Sequence, residues 1–184
     1  MTTVRSHLLL TGPPGSGKTT VLLRTAALLR DSGSLTFGFT TPEIREGRTR
    51  TGFALELLDG TRDILASKDF PGRPRVGRYA VRLDAMDRLV VPEIARGLAA
   101  AESGGDTIIV MDEIGKMELF SKTFRDTVLA ALNSPARILA TIMAKPHPFA
   151  DALKARPDVK LISVARDTRD ALPNRLAKMI QTNR

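Results

Sequence analysis

Gly12, Gly17, Lys18 and Thr19 stand at the spacing Gly-x-x-x-x-Gly-Lys-Thr, inside the stretch GPPGSGKTT. That is the pattern of a loop that wraps phosphate groups. Gly15 and Gly17 permit backbone conformations that a Cβ resists, so successive N–H groups can turn inward as a nest of partial positive charge. The N-terminus of a following helix adds to that charge. Lys18 carries a full charge toward the β- and γ-phosphates, and the Thr19 hydroxyl is of the kind that ligates Mg²⁺. Pro13 and Pro14 stiffen the loop entrance and cannot donate, so the donors are expected from Gly15, Ser16, Gly17, Lys18 and Thr19.

A second set of residues answers the first. The stretch TIIVMDEIG ends an apolar run in Asp112-Glu113. An acid at such a strand tip, facing a phosphate loop, holds Mg²⁺, usually through water, and an adjacent glutamate can polarise the attacking water. Two carboxylates at a buried strand end are costly unless cations meet them, which Lys18 and Mg²⁺ would do. The candidate catalytic residues are therefore Lys18, Asp112 and Glu113, with Thr19 and Asp112 for the metal. Thr141 is either a γ-phosphate sensor on the neighbouring strand or an ordinary buried β-former. Glu43 is an alternative water-polarising group. Arg45, Arg48, Arg50 and Arg78 are candidates for neutralising transition-state charge. His7 and His147 have no metal-ligand partner at useful spacing and read as structural or surface residues.

The elements that must position these groups follow from periodicity. His7 to Thr11 is a short apolar run closed by Gly-Pro-Pro, hence a buried strand. Lys18 to Arg30 has helical spacing, with Gly33 as a stop signal. Leu35 to Thr41 is a second strand. Asp59-Gly60 between alternating runs predicts an antiparallel hairpin over about 48–67. Phe70 to Arg82 reads as a basic loop leading into a strand. Asp84 can cap a helix reaching about Glu102, kinked or divided at Pro92. Thr107 to Asp112 is a buried strand, and Ser121 caps a helix through about Leu132. Arg137 to Met143 and Lys160 to Val164 are strands, and a helix from about Asp170 to Ile180 follows. Strands alternating with helices imply a mostly parallel sheet covered on both faces.

Composition narrows the classes. The 184 residues, 42% hydrophobic, fit a single domain over 1–184. The absence of cysteine excludes disulfides and thiolate metal sites and fits a reducing compartment. The most apolar stretch is broken by Lys18, Arg24 and two prolines, so it does not span a bilayer. The N-terminus lacks a secretory pattern, and the expectation is a soluble cytoplasmic protein. A net charge of +8 favours polyanions, nucleotides first and weak RNA or DNA binding second. With seven Phe, one Tyr and no Trp, there is little material for a base-stacking platform.

The stretches LLLTGPPGSGKTT, GFTTPEIREGRTRTGFALELLDG, RVGRYAV, IIVMDEIGKMEL and ILATIM make the sequence resemble the THEP1-type nucleoside-triphosphatases, small P-loop proteins. They cover most of the chain, from Leu8 to about Met143. The resemblance implies the three-layer P-loop NTPase fold, with the hairpin as an insertion. It also implies slow, Mg²⁺-dependent hydrolysis of ATP and other nucleoside triphosphates to the diphosphate and phosphate. It carries nucleotide binding onto Gly12, Pro13, Pro14, Gly15, Ser16, Gly17, Lys18 and Thr19. It does the same for Ile109, Val110, Met111, Asp112, Glu113, Ile114, Gly115 and Lys116. One departure is Thr168-Arg169-Asp170, where the family tends to show Asn-Arg-Asp, which puts a base or sugar contact there in doubt. No Asn-Lys-x-Asp guanine-reading motif follows, so loose base selectivity is expected. No arginine-rich lid follows the acidic strand, which favours transfer to water. A small-molecule kinase on the same fold and a nucleic-acid-associated nucleotide switch are the alternatives.

Overall fold

The structure, a computed structural model, describes residues 7–182. Residues 1–6 and 183–184, which belong to the expected domain and to the N-terminus read as lacking a secretory pattern, lie outside the described residues.

β1 (His7–Thr11) runs through the phosphate loop into α1 (Lys18–Asp31), and β2 (Leu35–Thr40) follows. Next come β3 (Glu43–Glu46), β4 (Thr49–Leu57), β5 (Arg62–Ser67), β6 (Arg75–Val76) and β7 (Tyr79–Val81). A helical stretch comprises α2 (Leu83–Ala85), a π-helical turn (Met86–Val90) and α3 (Val91–Glu102). β8 (Thr107–Ile114) is followed by a 3₁₀ turn (Glu118–Phe120), α4 (Lys122–Leu132) and β9 (Arg137–Ile142). α5 (Pro148–Lys154), β10 (Val159–Ser163) and α6 (Leu172–Thr182) complete the described residues.

The strands make one sheet in the order β10-β1-β9-β8-β2-β4-β5-β7-β6, with β3 paired to β4. β10, β1, β9, β8 and β2 are mutually parallel. From β2 onward every pairing is antiparallel. The period of two divides the strand side chains between the faces. Leu8, Leu10, Ile108, Val110 and Leu139 pack with Val21, Leu22 and Leu29 of α1 and Leu176 and Ile180 of α6. Leu9, Ile109, Met111 and Ile138 face Ile94 of α3 and Phe124 and Val128 of α4. The three layers expected for the P-loop NTPase fold are thus present. Among the described residues no helix is long and apolar enough to cross a membrane.

Three details differ from expectation. The antiparallel part extends well beyond a hairpin, since β3, β6 and β7 join β4 and β5 as a five-stranded wing, so the sheet is parallel only in its other half. Asp84 is not a cap: α2 starts after Arg82 with no side-chain cap, and Asp84 sits in the first turn, paired with Arg82 at 3.3 Å. The helical stretch is divided at Pro92 as expected, with the proline in the first turn of α3 directly after the π turn. α5 was not expected at all. Ser121 does cap α4, its hydroxyl accepting from Phe124 N–H at 3.0 Å.

Candidate functional site

β1 ends and α1 begins in the same loop, and the three loop glycines make the turn. Gly12, Gly15 and Gly17 have φ of 152°, 73° and 100°. A Cβ on Gly12 would stand 2.6 Å from the Val164 carbonyl oxygen, and one on Gly17 would stand 2.9 Å from Cδ of Arg169. The loop is therefore pressed against the segment after β10, and Arg169, in the part that departs from the family pattern, lies directly on it. Lys18 Nζ donates to the carbonyls of Gly12 (3.1 Å) and Pro13 (3.3 Å), which holds the ammonium over the loop. The Ser16 N–H is not an inward donor; it bonds the Pro13 carbonyl at 3.2 Å. The Ser16 hydroxyl, by contrast, is buried without a protein partner.

β8 lies between β9 and β2 and delivers Asp112 beside this loop. Asp112 is 6% exposed, and three threonines from separate parts of the chain converge on it. Thr19 of α1 donates to Oδ2 at 2.7 Å, Thr141 of β9 donates to Oδ1 at 2.5 Å, and Thr41, after β2, donates to the Asp112 carbonyl at 2.9 Å. Thr141 therefore orients the Asp112 carboxylate. Thr41 was not anticipated. Among the described residues no cluster of three or more Asp, Glu or His groups could hold a metal by itself. Thr19 and Asp112 are hard oxygen donors side by side, which suits an ion that keeps several waters and completes its shell from phosphate oxygens.

Gly15, Thr19, Asp112, Glu113, Glu118 and Glu43 border one cavity of about 390 Å³. A wider depression of about 570 Å³ lies against α6, next to Asn174 and Lys178, and holds none of these groups. Burial pushes the Glu113 carboxyl above its ordinary value; the Lys18 ammonium opposes the shift and Asp112 adds to it. Glu118, on the 3₁₀ turn, is 4% exposed. Burial, with smaller contributions from Glu113 and Asp112, raises its carboxyl to about 8. The position a Gly115 Cβ would occupy is 2.7 Å from Glu113 Oε1 and 3.0 Å from Glu118 Oε2, so a larger residue there would displace the two acids from the corner they share.

Glu43 is at the same cavity but in a different state. Its Oε1 accepts from Arg50 at 2.6 Å and its Oε2 from Arg45 Nε at 2.8 Å. The Arg50 bond, ahead of Arg45, holds the carboxyl below its ordinary value. A carboxylate so paired is a poor proton acceptor, which favours Glu113 as the group beside water. Arg48 is exposed, and its carbonyl accepts from Arg45.

Of the other anticipated residues, Ile109, Val110, Met111 and Ile114 are fully buried core of β8 and carry Asp112 and Glu113 without reaching the cavity themselves. Gly115 spaces the acids, and Lys116 is exposed on the cavity border. Pro13 and Pro14 are exposed at the loop entrance. His7 is structural: it is 3% exposed, with Nε2 against the Leu132 carbonyl and Nδ1 accepting from Ile138 N–H. His147 precedes α5, away from the cavity. Sequence reasoning passed over Glu118; a lone acid among Met117, Leu119 and Phe120 was the available signal.

Comparison with known proteins gives the same picture. A family model described as "NTPase" matches residues 7–177. The nucleoside-triphosphatase THEP1 of Natranaerobius thermophilus is 44% identical over 178 residues, covering 96% of this chain and 97% of the relative. That of Thermotoga maritima is 37% identical over 177 residues, covering 96% and 97%. The crystal structure of THEP1 from Aquifex aeolicus superimposes with a TM-score of 0.86 at 33% identity, covering 95% of this chain and 99% of that one. With its phosphate loop, its acidic strand end and this likeness along nearly its whole length, the chain belongs to the THEP1-type nucleoside-triphosphatase family.

Proposed function

We propose that the chain is a Mg²⁺-dependent nucleoside-triphosphate hydrolase that converts ATP and other nucleoside triphosphates to the diphosphate and phosphate with loose base selectivity. The observation that carries this reading is the 2.7 Å hydrogen bond from Thr19 to Asp112, which ties the phosphate loop to the acidic strand end within one cavity. Relatives of this chain bear the name nucleoside-triphosphatase. Residues 1–184 act as one unit, and a cytoplasmic location with weak, salt-sensitive RNA or DNA affinity from the +8 charge belongs to the same proposal.

In this mechanism the loop N–H groups, the Ser16 hydroxyl and Lys18 bind the β- and γ-phosphates. Thr19 and Asp112 hold the metal, which when bound supplies positive charge to the phosphate oxygens. Glu113 orients the attacking water and accepts its proton. Burial raises its basicity toward the range useful near neutral pH. Thr19 and Thr141 keep the Asp112 carboxylate from rotating and Thr41 anchors its backbone, so that positioning is built in before substrate arrives.

The test is phosphate release from four nucleoside triphosphates, with and without candidate acceptors, together with single-turnover hydrolysis by Glu113→Gln and Glu43→Gln. Glu113→Gln should bind Mg²⁺-ATP nearly as well as wild type and hydrolyse it roughly 10²–10⁴ times more slowly. If Glu43→Gln is instead the variant that binds but does not turn over, the water belongs to Glu43. An acceptor that becomes phosphorylated and accelerates loss of ATP would make the chain a kinase.

A further inference from the structure

Arg50 lies on β4 against two aromatic rings. Its guanidinium carbon is 5.0 Å from the Phe53 centroid and 5.5 Å from that of Tyr79. Nε donates to the Tyr79 hydroxyl at 3.1 Å, while the Arg50 carbonyl accepts from Tyr79 Oη (3.2 Å) and Arg78 (2.9 Å). Only the tip faces the cavity group Glu43, at 2.6 Å. Glu43 and Phe53 border the same cavity as Gly15, Thr19 and Glu113. The guanidinium is thus oriented by the two rings and the Tyr79 hydroxyl, and its outer nitrogen reaches Glu43, a carboxylate on the border of the cavity that would take the triphosphate chain.

We propose that Arg50 is the arginine that neutralises the γ-phosphoryl oxygens in the transition state, and that Glu43 is where its guanidinium rests between turnovers. The proposal rests on the hydrolase reading above. The energetics allow the exchange. The Glu43 side chain is 36% exposed and that of Arg50 is 39% exposed, and ion pairs at such exposure contribute little. Charge developing on a transferring phosphoryl group inside a cavity is a far stronger attractor for a guanidinium. Arg45 makes the departure cheaper still, since it stays on Oε2 and keeps Glu43 compensated when Arg50 leaves Oε1. Two neighbouring arginines of the same wing fit less well. Arg45 is 52% exposed. Arg78 is engaged with the Tyr79 hydroxyl and the Arg50 carbonyl and acts as a buttress. In the step itself, the water oxygen bonds to the γ-phosphorus. The bond from that phosphorus to the bridging oxygen breaks, its electron pair leaves on the diphosphate, and the water proton passes to Glu113. Arg50 donates hydrogen bonds and transfers no atom.

The experiment compares wild type, Arg50→Ala and Arg50→Lys for phosphate release, for Mg²⁺-ADP affinity, and for the tightening of ADP by aluminium fluoride, a mimic of the planar phosphoryl group. Wild-type turnover comes first: without it the hydrolase reading itself fails, separately from this proposal. Arg50→Ala should lose about 10³-fold in kcat while holding ADP within about threefold, and should lose the aluminium fluoride effect. Added guanidinium should restore part of the rate. Arg50→Lys, which keeps the charge and the stem but not the planar fork, should stay at least about tenfold slow. Glu43→Gln should tighten the aluminium fluoride complex, because Arg50 then has no ion pair to leave. The proposal is overturned by rates within about threefold of wild type in both folded Arg50 variants. A rate loss matched by an equal loss of ADP affinity, without guanidinium rescue, also overturns it. If Arg50→Ala does not fold, Arg50→Lys alone decides by the same readouts. Weaker aluminium fluoride binding in Glu43→Gln overturns the resting role.

Discussion

Glu118→Gln should make the metal-free protein progressively more stable than wild type as pH rises. The Glu118 carboxyl is raised by burial from 4.5 to about 8. Below 4.5 it is protonated in both the folded and the unfolded chain, and the stability associated with it is fully present. Between 4.5 and about 8 the unfolded chain has released the proton and the folded chain keeps it, so stability falls as pH rises. Above about 8 both states are ionised and the loss is complete. Each pH unit in that window is worth about 1.4 kcal/mol. The span from 4.5 to about 8 thus corresponds to roughly 5 kcal/mol. Glutamine has nearly the shape of the protonated acid and cannot ionise. The quantity to measure is the difference between the two proteins in urea-unfolding free energy, with a chelator present, from pH 5 to pH 8.5. It should grow steadily in favour of the variant, and the groups the two proteins share largely cancel. A difference that stays flat within about 1 kcal/mol would refute the reasoning, because a half-hydrated Glu118 has no such window.

Lys18→Ala should abolish detectable hydrolysis and weaken nucleotide binding while leaving the circular dichroism and thermal midpoint near wild type, since Lys18 bonds only loop carbonyls; normal turnover in the folded variant would remove the phosphate-loop assignment. Thr141→Val removes one of the two hydroxyls on a buried carboxylate, at a cost of about 1.5–3 kcal/mol in chemical unfolding. The same variant should also turn over more slowly, with its metal requirement raised; unchanged stability would mean that water replaces the hydroxyl. Specificity constants for ATP, GTP, CTP and UTP should fall within roughly a hundredfold, about 2.7 kcal/mol of discrimination. Steady-state kinetics that favour one base by several thousandfold would point to a base pocket made outside the motifs.

The parts of the molecule that were legible in the sequence are those where local chemistry has one solution. The phosphate loop, Asp59-Gly60 and the Ser121 cap fall in this class, because a positive φ, a tight turn and an unsatisfied helix end each demand particular residues. β3 was not legible: Glu43-Ile44-Arg45-Glu46 has no apolar alternation, and it is a strand because β4 offers it an edge. α5 is seven residues long and starts at a proline, too short for periodicity to register. At the site, the phosphate loop and the Asp112-Glu113 strand end were readable because a Gly-x-x-x-x-Gly-Lys-Thr turn and an apolar run closing in two acids are local patterns. Glu118 was not, since its burial depends on a turn folding back over Gly115.

The position of β1 also sets when the chain can acquire its site during synthesis. His7–Thr11 pairs on one side with β9 and on the other with Val159–Ser163, and the phosphate loop that follows leans on the Val164 carbonyl. The residues that spell the motif emerge from the ribosome some 150 residues before β10, which helps to shape it. Contacts separated by some 150 residues close slowly, after most of the chain is available. A nascent chain stopped short of Val159 would carry every residue of GPPGSGKTT and lack one of the two strands that flank β1. Nucleotide therefore gains its full hold only once β10 has been made, and truncation before β10 should disarm the loop from a distant part of the sequence.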